Sequence, residues 1–539
     1  MRLRVNGADV EVPDDGSTLL EVLRERLALR SLKDGCSPQG QCGCCTVWVD
    51  GDPRVACVTP VRRLDGRSVT TLEGLPEAER RAWADALVGS GGSQCGFCTP
   101  GIVMRLAALA DSVPASDLQV DRALLAHLCR CTGWQTVVEA ARRVVGVDAG
   151  TATGPSGGVD RDLATAAARA ELEGGVPQRV GPDVVLGHGG FADDGCPPGA
   201  LVAVVDGDDY AVSGSLSAAR ALAGKVQGRS TTVPLGHPVD VPGGRWVLTL
   251  ATTWVEPAYL ETDASWCEPG GEAASPYGNG GSFGGKLHSP VGADARRLAD
   301  GHGRPVRVLW SREDVVRRGP KRPPVAVGIT GEGTGILRVG VTGGPLDGPA
   351  WDGLVDDVAA VAPGLVLEQV PVDGPPVSLD LRAAVWAEAA VVATAVRLGT
   401  VGVPVLGVPV EVVAPTGGRA VARFAGDGSL DIEVAAGAVL DPVVLRSYAI
   451  GAAHQALGWV RSEGIAVDAD GAVRDLTVRS FGIVQARAMP EVTVRIVDDP
   501  AAAPVNGSDA VFAAVAAARW LGDGLAPAWP TDRSGTGRR

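Results

Sequence analysis

The chain has 539 residues and a formal net charge of −14, so neither a nucleic-acid partner nor an anionic membrane surface is expected. Apolar residues make up 45% of it, enough for several buried cores, and no apolar run reaches the ~18 residues of a membrane span. Nine of the eleven cysteines fall before residue 132 and no secretory leader opens the chain, which points to metal binding in a reducing cytoplasm.

Residues 1–75 read as a small mixed domain. Arg2-Leu-Arg-Val5 and Asp9-Val-Glu-Val12 flank Asn6-Gly7, a hairpin signal. Thr18-Leu-Leu-Glu21 matches a capping box ahead of a helix expected to run to Leu29. Next comes Cys36-Ser-Pro-Gln-Gly-Gln-Cys42-Gly-Cys44-Cys45, followed by the strand Thr46-Val-Trp-Val49 and, later, Cys57. Cys36, Cys42 and Cys45 are separated by five and then two residues, and Cys57 is the distant fourth. Plant-type [2Fe–2S] proteins use C-x4-C-x2-C with a distant fourth Cys, so the first gap is one residue longer here. A disulfide framework fits a long chain with clustered cysteines poorly. Zinc favours two C-x2-C pairs or Cys with His, and the chain has six His. A [2Fe–2S] cluster on Cys36, Cys42, Cys45 and Cys57 is the better reading, with Cys44 a small loop or core residue.

Residues 76–148 change character. Glu77 to Val88, Thr99 to Ala110, Asp121 to Leu128 and Thr136 to Val145 read as helices. Cys95 and Cys98 precede one helix start; Cys129 and Cys131 follow another helix end. Two helix termini would therefore present four thiolates to a second [2Fe–2S] cluster, against a bland reading as buried thiols.

Three segments now carry a resemblance: Cys42-Gly-Cys-Cys45-Thr-Val, Gln94-Cys95-Gly-Phe-Cys98-Thr-Pro-Gly101 and Leu128-Cys129-Arg-Cys131-Thr-Gly133-Trp. Residues 1–148 resemble the iron–sulfur module of the xanthine dehydrogenase/aldehyde oxidase family of molybdenum hydroxylases. The resemblance implies that the ferredoxin-like cluster is the outer one. It also implies that the helical-domain cluster lies beside a molybdopterin, touched by Gln94.

Residues 149–179 are small, polar and turn-rich, a linker candidate with a helix expected from Asp162 to Glu173. Residues 180–345 contain Val255-Glu256-Pro257-Ala-Tyr-Leu-Glu261 and Asn279-Gly280-Gly281-Ser-Phe283-Gly284-Gly285-Lys286. In a chain with 74 glycines a glycine cluster alone can be a tight turn. The order of these segments, however, is similar to that of the family's molybdopterin subunit, which implies cofactor contacts at Gly280, Gly281, Phe283, Gly284 and Gly285. Residues 346–530 resemble the end of that subunit in shortened form, with helices expected from Asp441 to Trp459 and after Asn506. The resemblance also implies a Gly-Xaa-Gly-Glu base, and no such motif occurs. Asn506-Gly-Ser-Asp509 lies in its neighbourhood, where Ser508 or Asp509 reads first as a helix N-cap. Asp380-Leu-Arg382 is the nearest candidate for the family's arginine segment.

The expected fold class is α+β multidomain: a β-grasp ferredoxin-like domain, a helical-bundle [2Fe–2S] domain, then a mixed α/β molybdopterin-binding-like region. The expected function is molybdopterin-dependent hydroxylation or oxidation of an aldehyde or N-heterocycle. Electrons would leave through two clusters to an external acceptor, such as a separate FAD-binding subunit. The alternative is a non-catalytic electron-transfer or scaffold subunit with a degenerate molybdopterin region.

Overall fold

The computed structural model describes residues 1–110, 114–146, 161–224, 231–280, 282–399 and 405–532. The N-terminal part is a five-stranded mixed sheet. Its order is Ala8–Glu11, Arg2–Val5, Ser68–Thr70, Thr46–Val49, Asp52–Val55, with Arg2–Val5 and Ser68–Thr70 parallel. The hairpin closes through Asn6 and Gly7, both at positive φ, as a type I′ turn requires. The Thr18 hydroxyl accepts from the Glu21 amide at 3.3 Å, and helical structure runs from Leu19 through Arg26, ending before the expected Leu29.

Four helices follow: Glu77–Ser90, Thr99–Ala107, Asp117–Leu124 and Gln135–Val144. The third starts four residues before the expected Asp121, because Ser116 and Gln119 form a capping box that the apolar spacing did not reveal. Cys129 and Cys131 consequently lie in the loop after Leu124 rather than at a helix terminus. The helix expected from Asp162 spans Leu163–Gly174, with Asp162 as its N-cap.

Among the described residues the C-terminal part holds three sheets. One is ordered Asp209–Ser213, Leu201–Asp206, Val306–Leu309, Ala264–Cys267. A second runs Leu365–Pro371, Gly335–Val341, Val325–Ile329, Leu248–Thr252, Ala528–Trp529. It joins strands from both sides of the expected division at 345/346, so that division falls inside one sheet; strand pairing across such separations leaves no local signal. The third is Val410–Val413, Arg419–Phe424, Leu430–Ala435, Val492–Val497.

Two helices fill the C-terminal core. Pro442–Arg461 starts with Pro at its first position and with the Asp441 carboxylate accepting from the Val444 amide at 2.7 Å. Ser508–Gly522 packs against it, with Trp459 stacked on Phe512 at 4.9 Å between ring centroids. Both are buried nearly all round, as helices with no polar face must be. Among the described residues no helix is long and apolar enough to cross a membrane.

Candidate redox site

All eleven cysteines are free thiols, and the eight expected ligands gather in two sets. In the outer set Cys36 hydrogen-bonds with Cys42 and Cys57, and Cys57 with Cys45. In the inner set Cys98 pairs with Cys129, and the Sγ atoms of Cys131 and Cys95 lie 3.6 Å apart. Two thiolates on one tetrahedral metal with ~2.3 Å bonds would sit about 3.8 Å apart, so the 3.6 Å Cys95–Cys131 contact has the span of a ligand pair. Among the described residues no three His, Cys, Asp or Glu converge as a single-ion site would require. The inner set, four thiols arranged as two pairs, suits a two-iron cluster better than one ion. Amide donors already face the sulfurs: Gln39 N lies 3.3 Å from Cys36 Sγ and Cys57 N 3.4 Å from Cys45 Sγ. Such N–H···S bonds are a recognised control on cluster potential. The residues present therefore fit [2Fe–2S] groups. Cys44 is fully buried and hydrogen-bonds with Cys42, which matches its expected role as a small core residue.

The two sets are joined through the backbone, with the Leu128 amide donating to the Cys42 carbonyl at 3.0 Å. The Pro442–Arg461 helix lies over the inner set. A Cβ on Gly451 would collide with the Cys131 carbonyl oxygen, so only glycine permits this approach. Arg130, between Cys129 and Cys131, forms a buried two-bond pair with Glu463, one bond measuring 2.8 Å. Gln455, on the same long helix, donates to the Arg130 carbonyl at 3.2 Å.

A cavity of about 50 Å³ adjoins the inner set. Gln94, Cys95, Cys98 and Cys131 line it together with Gly280, Ser282 and Phe283 of the Gly-rich loop. Of the expected cofactor contacts, Gln94, Gly280 and Phe283 thus share one space. Gly281 lies outside the described residues. Gly284 and Gly285 do not line the cavity. Gly284 has φ +87° and abuts the Asp380 carbonyl, while Gly285 packs on Tyr259 and Pro257. Gln94 is oriented by its 2.9 Å hydrogen bond to the Ser447 hydroxyl.

Two residues of the wall, Gln178 and Tyr448, carried no recognisable sequence signal. Tyr448 donates to Gln178 at 2.6 Å, and Gln178 donates to the Ala170 carbonyl at 3.0 Å. Glu261 pairs with the fully buried Lys286 at 2.9 Å. Burial pushes the Glu261 carboxyl up to about 7, against the opposing pull of Lys286. Amides, a phenol and a carboxylate facing a glycine loop can hold a flat heterocycle edged with nitrogen and oxygen, so the cavity's donor set fits a pterin.

Beyond Phe283 the structure brings together the two weakest sequence candidates. The Arg382 amide donates to the Phe283 carbonyl at 3.2 Å, and its guanidinium lies 4.9 Å from the Phe283 ring centroid. Arg382 Nε is 3.1 Å from Asp509 Oδ1, and its Nη2 donates to the Ser508 hydroxyl at 3.1 Å. The expected capping role falls to neither Ser508 nor Asp509. The Asn506 side chain accepts from the Asp509 amide at 3.0 Å, which frees the Asp509 carboxylate for Arg382. Burial raises the Asp509 carboxyl above the usual range, with Arg382 opposing.

Known proteins share this arrangement. A family described as "2Fe-2S iron-sulfur cluster binding domain" matches residues 3–62, and one described as "[2Fe-2S] binding domain" matches residues 71–142. The chain is 39% identical over 145 residues to a probable xanthine dehydrogenase subunit of Bacillus subtilis, covering 26% of this chain and 83% of that protein. It is 37% identical over 148 residues to the nicotinate dehydrogenase small FeS subunit of Eubacterium barkeri, covering 27% of this chain and 94% of that protein. Among solved structures, the aldehyde oxidoreductase from Desulfovibrio gigas aligns with a TM-score of 0.67 at 15% identity, over 99% of both chains. At that identity the likeness concerns fold: a mixed α/β multidomain architecture shared along the whole chain.

Proposed function

The chain belongs to the xanthine dehydrogenase/aldehyde oxidase family of molybdenum hydroxylases, and from that membership we propose that it is a molybdopterin-dependent oxidoreductase acting on an aldehyde or N-heterocycle. The observation that carries this reading is the shared cavity, where the inner cysteines, Gln94 and the Gly280–Phe283 loop face one another. Bound molybdopterin would supply oxygen transfer to a C–H carbon and accept the two electrons, and the clusters would supply a one-electron relay. The chain's own groups do the holding and the proton work. Cys95, Cys98, Cys129 and Cys131 would ligate the inner cluster, and Cys36, Cys42, Cys45 and Cys57 the outer one. Gln94, Gly280 and Phe283 would hold the pterin, with Gly281, Gly284 and Gly285 shaping its loop. Asp509, held by Arg382 beside Phe283, would be the carboxylate that takes a proton near the substrate. Electrons would pass to an external acceptor such as a separate flavin subunit.

The second reading, an electron-transfer subunit without molybdenum, draws on the same pair: Asp509 is already engaged by Arg382, leaving a poorer base than a free Glu would be. Iron and molybdenum content of anaerobically purified protein separates the two. About four iron and one molybdenum per chain are expected. About four iron with no molybdenum would replace the enzyme reading by the electron-transfer one.

A further inference from the structure

An open groove of about 560 Å³ lies away from the cofactor cavity, lined by Arg461, Arg479, Arg487 and Arg519 with Asp532. Its apolar lining includes Leu457, Ile483 and Met489. The charge is not balanced locally. Arg461 lies 3.0 Å from Asp532 and 3.7 Å from Asp523, and Arg519 also pairs with Asp523. Two arginines thus share two carboxylates. The Arg479 guanidinium donates to the Gln41 carbonyl at 2.9 Å and the Leu125 carbonyl at 3.0 Å, and among the described residues it has no ion pair. Arg487 is exposed and, among the described residues, has no ion pair. This excess of about two positive charges sits on a chain of net charge −14, where a chance basic patch would be diluted.

The groove's position gives the charge a use. Arg479 grips Gln41 twice, since its own amide also donates to the Gln41 side chain at 3.3 Å, and Gln41 immediately precedes Cys42 of the outer thiol set. One wall is therefore fastened to the loop at which electrons would leave. We propose that this arginine groove is the docking surface for an acidic one-electron acceptor protein, placing that partner against the outer cysteine loop. The proposal rests on the two-cluster reading. In the docked pair one electron leaves the reduced outer cluster and one enters the acceptor, for instance reducing a ferric haem to ferrous. Distributed surface charge of this kind sets encounter rate and orientation and is screened by salt.

The test uses the full-length protein with two haem proteins of opposite charge as probes, acidic cytochrome b5 and basic cytochrome c. Affinity is read from the mobility of labelled probe, which needs neither metal in the protein. Cytochrome b5 should bind more tightly than cytochrome c, and its affinity should fall about tenfold for the double variant Arg461→Glu/Arg487→Glu and by a similar factor on raising salt severalfold. Arg487→Glu alone, at an exposed unpaired site, should weaken binding severalfold with iron content and melting temperature unchanged. After reduction by dithionite and desalting, transfer to cytochrome b5 should slow in parallel while reduction of a small neutral dye stays constant. Equal affinity for the two cytochromes, unchanged affinity in Arg487→Glu, or displacement of cytochrome b5 by equimolar pyrophosphate would each overturn the proposal. Loss of iron-dependent colour with binding intact would instead sink the two-cluster reading and leave the docking surface standing.

Discussion

Single residues decide how many electrons the chain can hold. Cys129 and Cys131 belong to different thiol pairs of the inner set, so Cys129→Ser with Cys131→Ser breaks both pairs at once. Iron should fall from about four to about two per chain, and one of two reduced-cluster EPR signals should vanish. Both signals surviving would show the ligand assignment to be wrong. These cysteines were legible because thiolate chemistry demands fixed short spacings, and folding gathers all eight into two sets of four. Asp509 was not legible. Its carboxylate is freed only because Asn506, three residues earlier, caps the helix, and its partner Arg382 is 127 residues away in sequence. Lengthening the reach should be harmless to that pairing and shortening it should not. Asp509→Glu is expected to keep substrate turnover within about tenfold, and Asp509→Ala to lower it by about 10²–10⁴, as loss of a general base would. A kcat that ignores both changes would move the proton acceptor elsewhere.

At the scale of one element, the Pro442–Arg461 helix does two things. It seals the inner thiol loop through Gly451 and it buries His454, whose Nε2 lies 2.8 Å from the Val484 carbonyl. Gly451→Val should eject the inner cluster while leaving the outer one, seen as half the iron with one EPR signal. Loss of both signals would mean general misfolding instead. His454 is held neutral, burial and then Arg130 pushing it down to about 4. The unfolded chain takes up a proton near pH 6.5 that the folded chain refuses until about pH 4, so this histidine's contribution is complete above 6.5 and is lost as pH falls through that window. The slope is about 1.4 kcal/mol per pH unit, so about 2 kcal/mol should be lost between pH 6.5 and 5. His454→Gln should remove that acid limb from chemical-denaturation midpoints; an unchanged slope would assign it to other groups. The sequence foretold this helix within two residues at its C-terminal end, since its Asp-Pro start and apolar length are local signals. Its placement over Cys131 was hidden, because tertiary approach depends on a missing side chain and not on a pattern.

Across the whole molecule, the N-terminal sheet is fastened to the C-terminal part by a buried ion network. Arg24 bonds Asp193 at 2.6 Å and Asp194 at 3.0 Å, Lys33 pairs with Asp194, and Arg307 bridges Glu25 at 3.0 Å and Asp193 at 2.9 Å. Burial lowers Lys33 to about 8 against the pull of Asp194. Removing one partner strands buried charge, so Asp194→Ala should cost about 3–5 kcal/mol, read as a drop in melting temperature with Asp194→Asn falling between it and wild type. Indifference to Asp194→Ala would show that the network does not hold the two parts together. None of this was readable in advance. Positions 24, 33, 193 and 307 are far apart in the chain, and their charges meet only after folding.

The hydrogen bond from Gln94 to Ser447 spans 353 positions of the chain. A ribosome adding 5–20 residues per second needs roughly 20–70 s to travel that far. For that interval the inner cysteines exist without the helix that will cover them, and a local thiol loop can be filled long before its lid has been made. Biosynthesis thereby acquires a schedule from topology alone: iron first, enclosure second, and the cavity between the two halves last.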